Sequence, residues 1–167
     1  MSEILKSIIT IFFAFVLSQA VNAQCSLKTS KDPCDDIVTR SAYYENVSGK
    51  PSALKLKIEQ NINYKDTSTT LFILLTPSYK SCFGKESKIS IQSGNDVIIL
   101  PFSGQVTCKS EGEKLTDYAE MTKSNIEFLK AHTINTIRVY YINSYDDFVI
   151  KKQDYFIRTL KCFEYPL

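Results

Sequence analysis

The chain has 167 residues, about one domain's worth, with 44% hydrophobic and 23% charged residues and five each of glycine, proline and cysteine. That composition excludes a collagen-like, low-complexity or generally disordered chain. Twenty basic residues against eighteen acidic ones leave a net charge of +2, too small an excess for the basic stripe of a nucleic-acid binder, so no nucleic-acid partner is expected.

The N-terminus carries Lys6, an apolar run from Ile8 to Leu17, and then Ser18-Gln19-Ala20-Val21-Asn22-Ala23. A short basic start, an apolar stretch and a small-x-small site ending at Ala23 predict a secretory signal peptide over residues 1–23. As a helix the apolar run would cover about 15 Å, half of a ~30 Å hydrocarbon core, so no membrane span is expected after cleavage. Asn22, Ala23 and Gln24 miss the Leu-Ala-Gly that precedes a lipid-modified cysteine at two positions, so lipid anchoring at Cys25 is not expected. The expected location is secreted or periplasmic. All five cysteines lie beyond the signal, where an oxidising compartment makes disulfides their default role.

Residues 24–36 are polar, contain Pro33 and show no period; they predict an irregular arm ahead of one globular domain over residues 37–167. From Ile37 to Val47 the chain is β-branched and aromatic, ending at the turn signal Ser48-Gly49-Lys50-Pro51. Leu54, Leu56, Ile58, Ile62 and Tyr64 then alternate with lysines, Glu59 and asparagines, with Gln60 the one polar residue in the apolar register. A period of two places one set in the core and the other in water. Thr70 to Thr76 is apolar on both faces and predicts a central strand covered on both sides. Lys88–Gln92 and Val97–Leu100 flank Ser93-Gly94-Asn95-Asp96, the pattern of a β-hairpin whose second arm is an edge or ends at Pro101. Two capping-box patterns, from Asp117 and from Ser124, predict a short helix near residues 117–131. Ile134–Ile142 and Asp147–Ile150 are strand-like. Phe156, Leu160 and Phe163 repeat at helical spacing and predict a C-terminal amphipathic helix near residues 152–163. No strand–helix–strand repetition occurs. The fold class is therefore α+β, mainly antiparallel β: a meander or sandwich of about six to eight strands.

One histidine limits catalysis. His132 stands at the predicted end of a helix, where it interacts with the partial negative charge there. No nucleophile elbow, phosphate loop, dinucleotide fingerprint or calcium loop is present. Without a second histidine or a Cys-x-x-Cys, no metal site and no cofactor are expected. Cys82 and Cys108 lie symmetrically about Asn95, so extending the hairpin predicts that they pair. Cys25 and Cys34 are the second candidate pair, and Cys162 is expected as a buried unpaired thiol. Ten tyrosines and ten phenylalanines suggest a sticky surface. Tyr43-Tyr44 and Tyr140-Tyr141 should each send one ring to either face, and Tyr44, Arg138 and Tyr140 form the candidate patch. These features suggest a small exported, non-enzymatic domain that binds another envelope or extracellular protein or a glycan. The alternatives are a small secreted hydrolase with carboxylates assembled by the fold, and an inhibitor of secreted enzymes presenting a loop such as Thr76–Lys85.

Overall fold

The computed structural model describes residues 25–32, 35–48, 53–77 and 79–165. The expected signal segment, residues 1–23, and Cys34 lie outside the described residues. Twelve strands occur among those described: β1 Leu27–Lys31, β2 Val38–Ala42, β3 Glu45–Asn46, β4 Leu54–Ile62, β5 Thr67–Leu75, β6 Ser81–Phe83, β7 Lys88–Ser93, β8 Asp96–Pro101, β9 Thr107–Lys109, β10 Leu115–Glu120, β11 Thr136–Tyr140 and β12 Tyr145–Val149. Two helices, α1 Lys123–Ala131 and α2 Tyr155–Cys162, complete the fold. It is α+β and mainly antiparallel. No helix among the described residues is long and apolar enough to cross a membrane.

The first sheet runs β1-β2-β4-β5-β10, with β3 also paired to β4, and the second runs β12-β11-β7-β8. Their apolar faces share one core. Leu54, Leu56 and Ile58 of β4 and Leu71, Ile73 and Leu75 of β5 belong to the same buried cluster as Ile89 and Ile91 of β7 and Ile137 and Val139 of β11. The two layers are joined by an isolated bridge between Ser48 and Ile150. A hydrogen bond from the Ser103 hydroxyl to the buried Asp117 carboxylate (2.7 Å) ties the chain after β8 to β10.

The hairpin closes as the pattern predicts: Ser93 faces Asp96 across the turn, and Gly94 takes φ 57°, a conformation that costs glycine nothing. β8 lies at the sheet edge, where Pro101 removes no interior ladder bond. Continuing the pairing outward, β6 meets β9 with Cys82 opposite Cys108, and these two are bonded with Cα atoms 4.1 Å apart.

Several expectations are corrected. The arm is not irregular: Leu27–Lys31 pairs with β2 as an edge strand. Four of its five residues are exposed, so it carries no apolar period to read. The helix begins at Lys123, and residues 115–120 form β10, a ladder partner of β5. There the buried face is Leu115, Asp117 and Ala119, and the charge of Asp117 hides the alternation. The helix cap is Thr122, whose side chain accepts from the Asn125 N–H while the Asn125 side chain accepts from the Thr122 N–H. Tyr64 falls past the end of β4 and is 85% exposed. Among the described residues the outer face of β5 meets no second layer; Phe72 is half-covered by Tyr118 and by Lys57, whose ammonium lies 4.1 Å from the ring centroid.

Cys162 is not a free thiol. It is bonded to Cys25, with Cα atoms 5.3 Å apart and a sequence separation of 137. The expected Cys25–Cys34 pair is not formed, because Cys25 is bonded to Cys162; Cys34 lies outside the described residues.

Peptide mapping of the unreduced protein should recover Cys25–Cys162 and Cys82–Cys108 cross-links; a Cys25–Cys34 cross-link would contradict this arrangement. Replacing Cys25 and Cys162 together with serine should lower unfolding free energy by about 3–5 kcal/mol, because the bond closes nearly the whole chain into one loop. Denaturant titration measures this.

Candidate binding groove

β2 and β3 pair with the same strand, β4, but not in one continuous register. Ser41 faces Glu59 and Glu45 faces Leu56, so Ala42, Tyr43 and Tyr44 stand opposite Lys57 and Ile58 alone. The surplus residue makes a β-bulge, which re-aims side chains that a regular strand would alternate. Both tyrosine rings consequently reach solvent, Tyr43 at 64% and Tyr44 at 42% exposure. This replaces the expectation of one ring on each face. Tyr140 and Tyr141 sit on a regular strand end and do alternate: Tyr141 is buried and Tyr140 half-exposed.

The bulge faces α2 across a groove of about 440 Å³. Tyr43, Tyr44 and Tyr165 line it, and Glu45, Arg158 and Thr159 supply polar groups. The bonded pair Cys25 and Cys162 lines it too. The helix is placed by its own amphipathicity: Phe156, Leu160 and Phe163 are buried, as their spacing requires, which turns Arg158 and Lys161 outward. Arg40 on β2, itself buried, fixes the far end by donating from both guanidinium Nη atoms to the carbonyls of Phe163 (2.9 Å) and Cys162 (3.1 Å).

Two of the charged residues lining the groove, Glu45 and Arg158, are paired, while Lys161 has no ion pair among the described residues. Glu45 Oε1 lies 2.8 Å from Lys152 Nζ and 3.1 Å from Arg158 Nη2, and Arg158 Nε lies 2.9 Å from Asp154 Oδ2. Burial opposes ionisation of Glu45, but the hydrogen bonds from Lys152 and Arg158 outweigh it and hold the carboxyl below its ordinary value. A general acid needs the opposite shift. Beneath the groove Tyr155 is buried, and its hydroxyl makes no hydrogen bond among the described residues; Thr159 lies near it without hydrogen-bond geometry. Burial pushes the phenol pKa up, so the ring is neutral.

The expected patch of Tyr44, Arg138 and Tyr140 divides between the two sheets. Tyr44 packs beside Lys57 on the first sheet, 5.5 Å from ammonium to ring centroid. Arg138 and Tyr140 lie on β11 of the second. There Arg138 makes a two-pronged bond to Asp147 (2.6 and 2.7 Å) and lies 4.2 Å from the Tyr145 ring. The separation arises because, among the described residues, β11 pairs with β7 and β12 and not with the first sheet. The Thr76–Lys85 loop is anchored rather than projecting at Ser81–Phe83, where Ser81 and Phe83 are buried and Cys82 is bonded. His132 caps α1: its backbone N–H donates to the Phe128 carbonyl, and its ring stacks on Phe128 at 4.4 Å.

Sequence reasoning named Tyr44 but missed Tyr43, Tyr165, Glu45 and Arg158. The only local signal was the Asp154–Arg158 pair at helical i,i+4 spacing. The groove itself is a product of the bulge and the long-range disulfide, neither of which has a local pattern.

Two outcomes check these assignments. Tyr155→Phe should leave thermal stability unchanged or raise it slightly, because it removes a buried hydroxyl without a partner; a loss above about 1 kcal/mol would show that the hydroxyl is bonded. The Glu45 carboxyl titrates lower folded than unfolded, so its stabilisation is complete above the ordinary Glu range near 4.3 and is lost as pH falls through it. Melting temperature should fall below about pH 5, and Glu45→Gln should flatten that fall. Identical slopes for the two proteins would remove the ion pairs from the account. Among protein families, curated proteins and solved structures, none matches this chain.

Proposed function

We propose that this protein is a small exported, non-enzymatic binding domain that takes its ligand in the groove between the Tyr43–Tyr44 bulge and α2. The observation that carries this reading is the bulge. It turns two adjacent tyrosines outward over a concave surface on a sheet whose neighbouring strands are regular. Tyrosine and arginine dominate binding hot spots because a ring with few rotatable bonds presents a large contact area and loses little entropy when it is covered. Two disulfides support export, since such bonds persist in an oxidising compartment. The signal segment at residues 1–23 supports a secreted or periplasmic location.

The hydrolase alternative is weaker on chemistry. Glu45, the carboxylate lining the groove, is held ionised by two cations, which suits a fixed hydrogen-bond acceptor and not a proton donor. The face bearing Arg138 and Tyr140 is the second place where a partner could dock.

Immobilised protein should retain a defined component of its native medium or envelope. The double variant Tyr43→Ala/Tyr44→Ala should lose at least about tenfold in that retention while keeping its melting temperature. Arg138→Ala/Tyr140→Ala should retain the same component normally. Loss by the second variant and not by the first would move the binding surface to the other sheet and overturn the groove.

A further inference from the structure

The chemistry of the groove narrows the ligand class, provided the groove is the binding site. Three exposed tyrosine rings, Tyr43, Tyr44 and Tyr165, offer flat apolar surfaces. Between them Glu45 is paired with Lys152 and Arg158, and Arg158 with Asp154, while Lys161 also lines the groove without an ion pair among the described residues. Such a wall presents acceptors and donors of both signs at fixed positions. A ligand charged throughout would meet a like charge at Glu45 or at Arg158 and Lys161, and displacing one paired partner would leave another charge uncompensated. A neutral ligand that both donates and accepts hydrogen bonds can use the groups as they stand.

The size narrows it further. About 440 Å³ lies at the small end of the roughly 300–1,000 Å³ of small-molecule sites.

We infer that the groove binds a neutral saccharide, one or two sugar rings long. The C–H face of a pyranose ring lies against a tyrosine ring, whose electron-rich face accepts it. The ring hydroxyls, each both donor and acceptor, bond to the Glu45 carboxylate, the Arg158 guanidinium and the Thr159 hydroxyl. The outward orientation of Tyr43 and Tyr44 is then what the bulge supplies, and the Cys25–Cys162 bond holds the opposite wall at fixed distance.

The test is an NMR titration of the ¹⁵N-labelled exported protein with lactose, cellobiose and N,N′-diacetylchitobiose. A sulfated heparin disaccharide and a short lysine-rich peptide serve as charged comparators. The expected result is saturable shifts from at least one neutral disaccharide, concentrated at residues 42–45 and 155–165. Tyr43→Ala should weaken that binding about tenfold, and Arg138→Ala should leave it unchanged. Shifts from a charged comparator alone, shifts confined to other parts of the molecule, or none from the three neutral sugars would each overturn the saccharide assignment. Tyrosine-dependent retention of a native component alongside any of these negative results would leave the groove as a binding site for a different class of ligand.

Discussion

The C-terminal helix determines whether a groove exists at all, and that helix is held by a clamp at its final turn. Arg40 projects from β2 and, buried, gives two hydrogen bonds to the carbonyls of Cys162 and Phe163. The last carbonyls of a helix have no intrahelical partners and carry its partial negative charge, so a guanidinium there satisfies both needs. Burying a guanidinium costs several kcal/mol unless its donors are engaged. Here two nitrogens are engaged, Nε lacks a partner, and the ring of Phe163 lies 5.7 Å from the guanidinium carbon. On these terms alone Arg40 is close to neutral for stability. What it adds is placement: no aliphatic residue in its position could bond the two carbonyls and fix where α2 ends. The Cys25–Cys162 bond fixes the same point covalently from the other side.

With α2 fixed, the bulge acquires its meaning. A one-residue insertion in a strand ordinarily bends it and exposes a local irregularity. Opposite a helix anchored at its far end, the same irregularity becomes one wall of a cleft. Glu45 follows the bulge at once and pairs with Leu56, a core residue. It therefore faces inward toward α2, where Lys152 and Arg158 reach it. Without the surplus residue the alternation would shift by one, and the carboxylate would point toward the solvated face with Lys55 and Lys57. The ion-pair network and the exposed tyrosines thus depend on the same local feature.

These dependencies explain which parts of the fold were legible in the sequence. The β7–β8 hairpin, the alternation of β4 and the spacing of Phe156, Leu160 and Phe163 were readable because one physical signal, periodic burial with a compatible turn, decides each. The Cys82–Cys108 pair followed from the hairpin, since antiparallel pairing counts outward symmetrically from a turn. β1 was not readable because an exposed edge strand has no apolar face to display. β10 was obscured by Asp117, a buried carboxylate whose cost is offset by the Ser103 hydroxyl and the Tyr118 N–H, each 2.7 Å away. That compensation belongs to tertiary structure and leaves no local trace. The groove was least legible of all. Its walls come from residues 25–45 and 155–165, brought together by a bond spanning nearly the whole chain, and its key feature is a count of residues across two strands.

The same geometry argues for binding over catalysis on energetic grounds. Catalysis needs groups whose protonation or position changes along a reaction, and their pKa values are tuned toward the working pH. The groups lining this groove are arranged the other way: Glu45 is pushed further into its ionised state and Tyr155 further into its neutral one. Both are thereby fixed in a single protonation state across the physiological range. Fixed charges, rings on a bulge and a wall stapled by a disulfide lose little freedom when a ligand arrives. The ordering cost that normally consumes much of a contact's energy is met during folding. A site built so can bind a small, weakly hydrophobic ligand with few contacts.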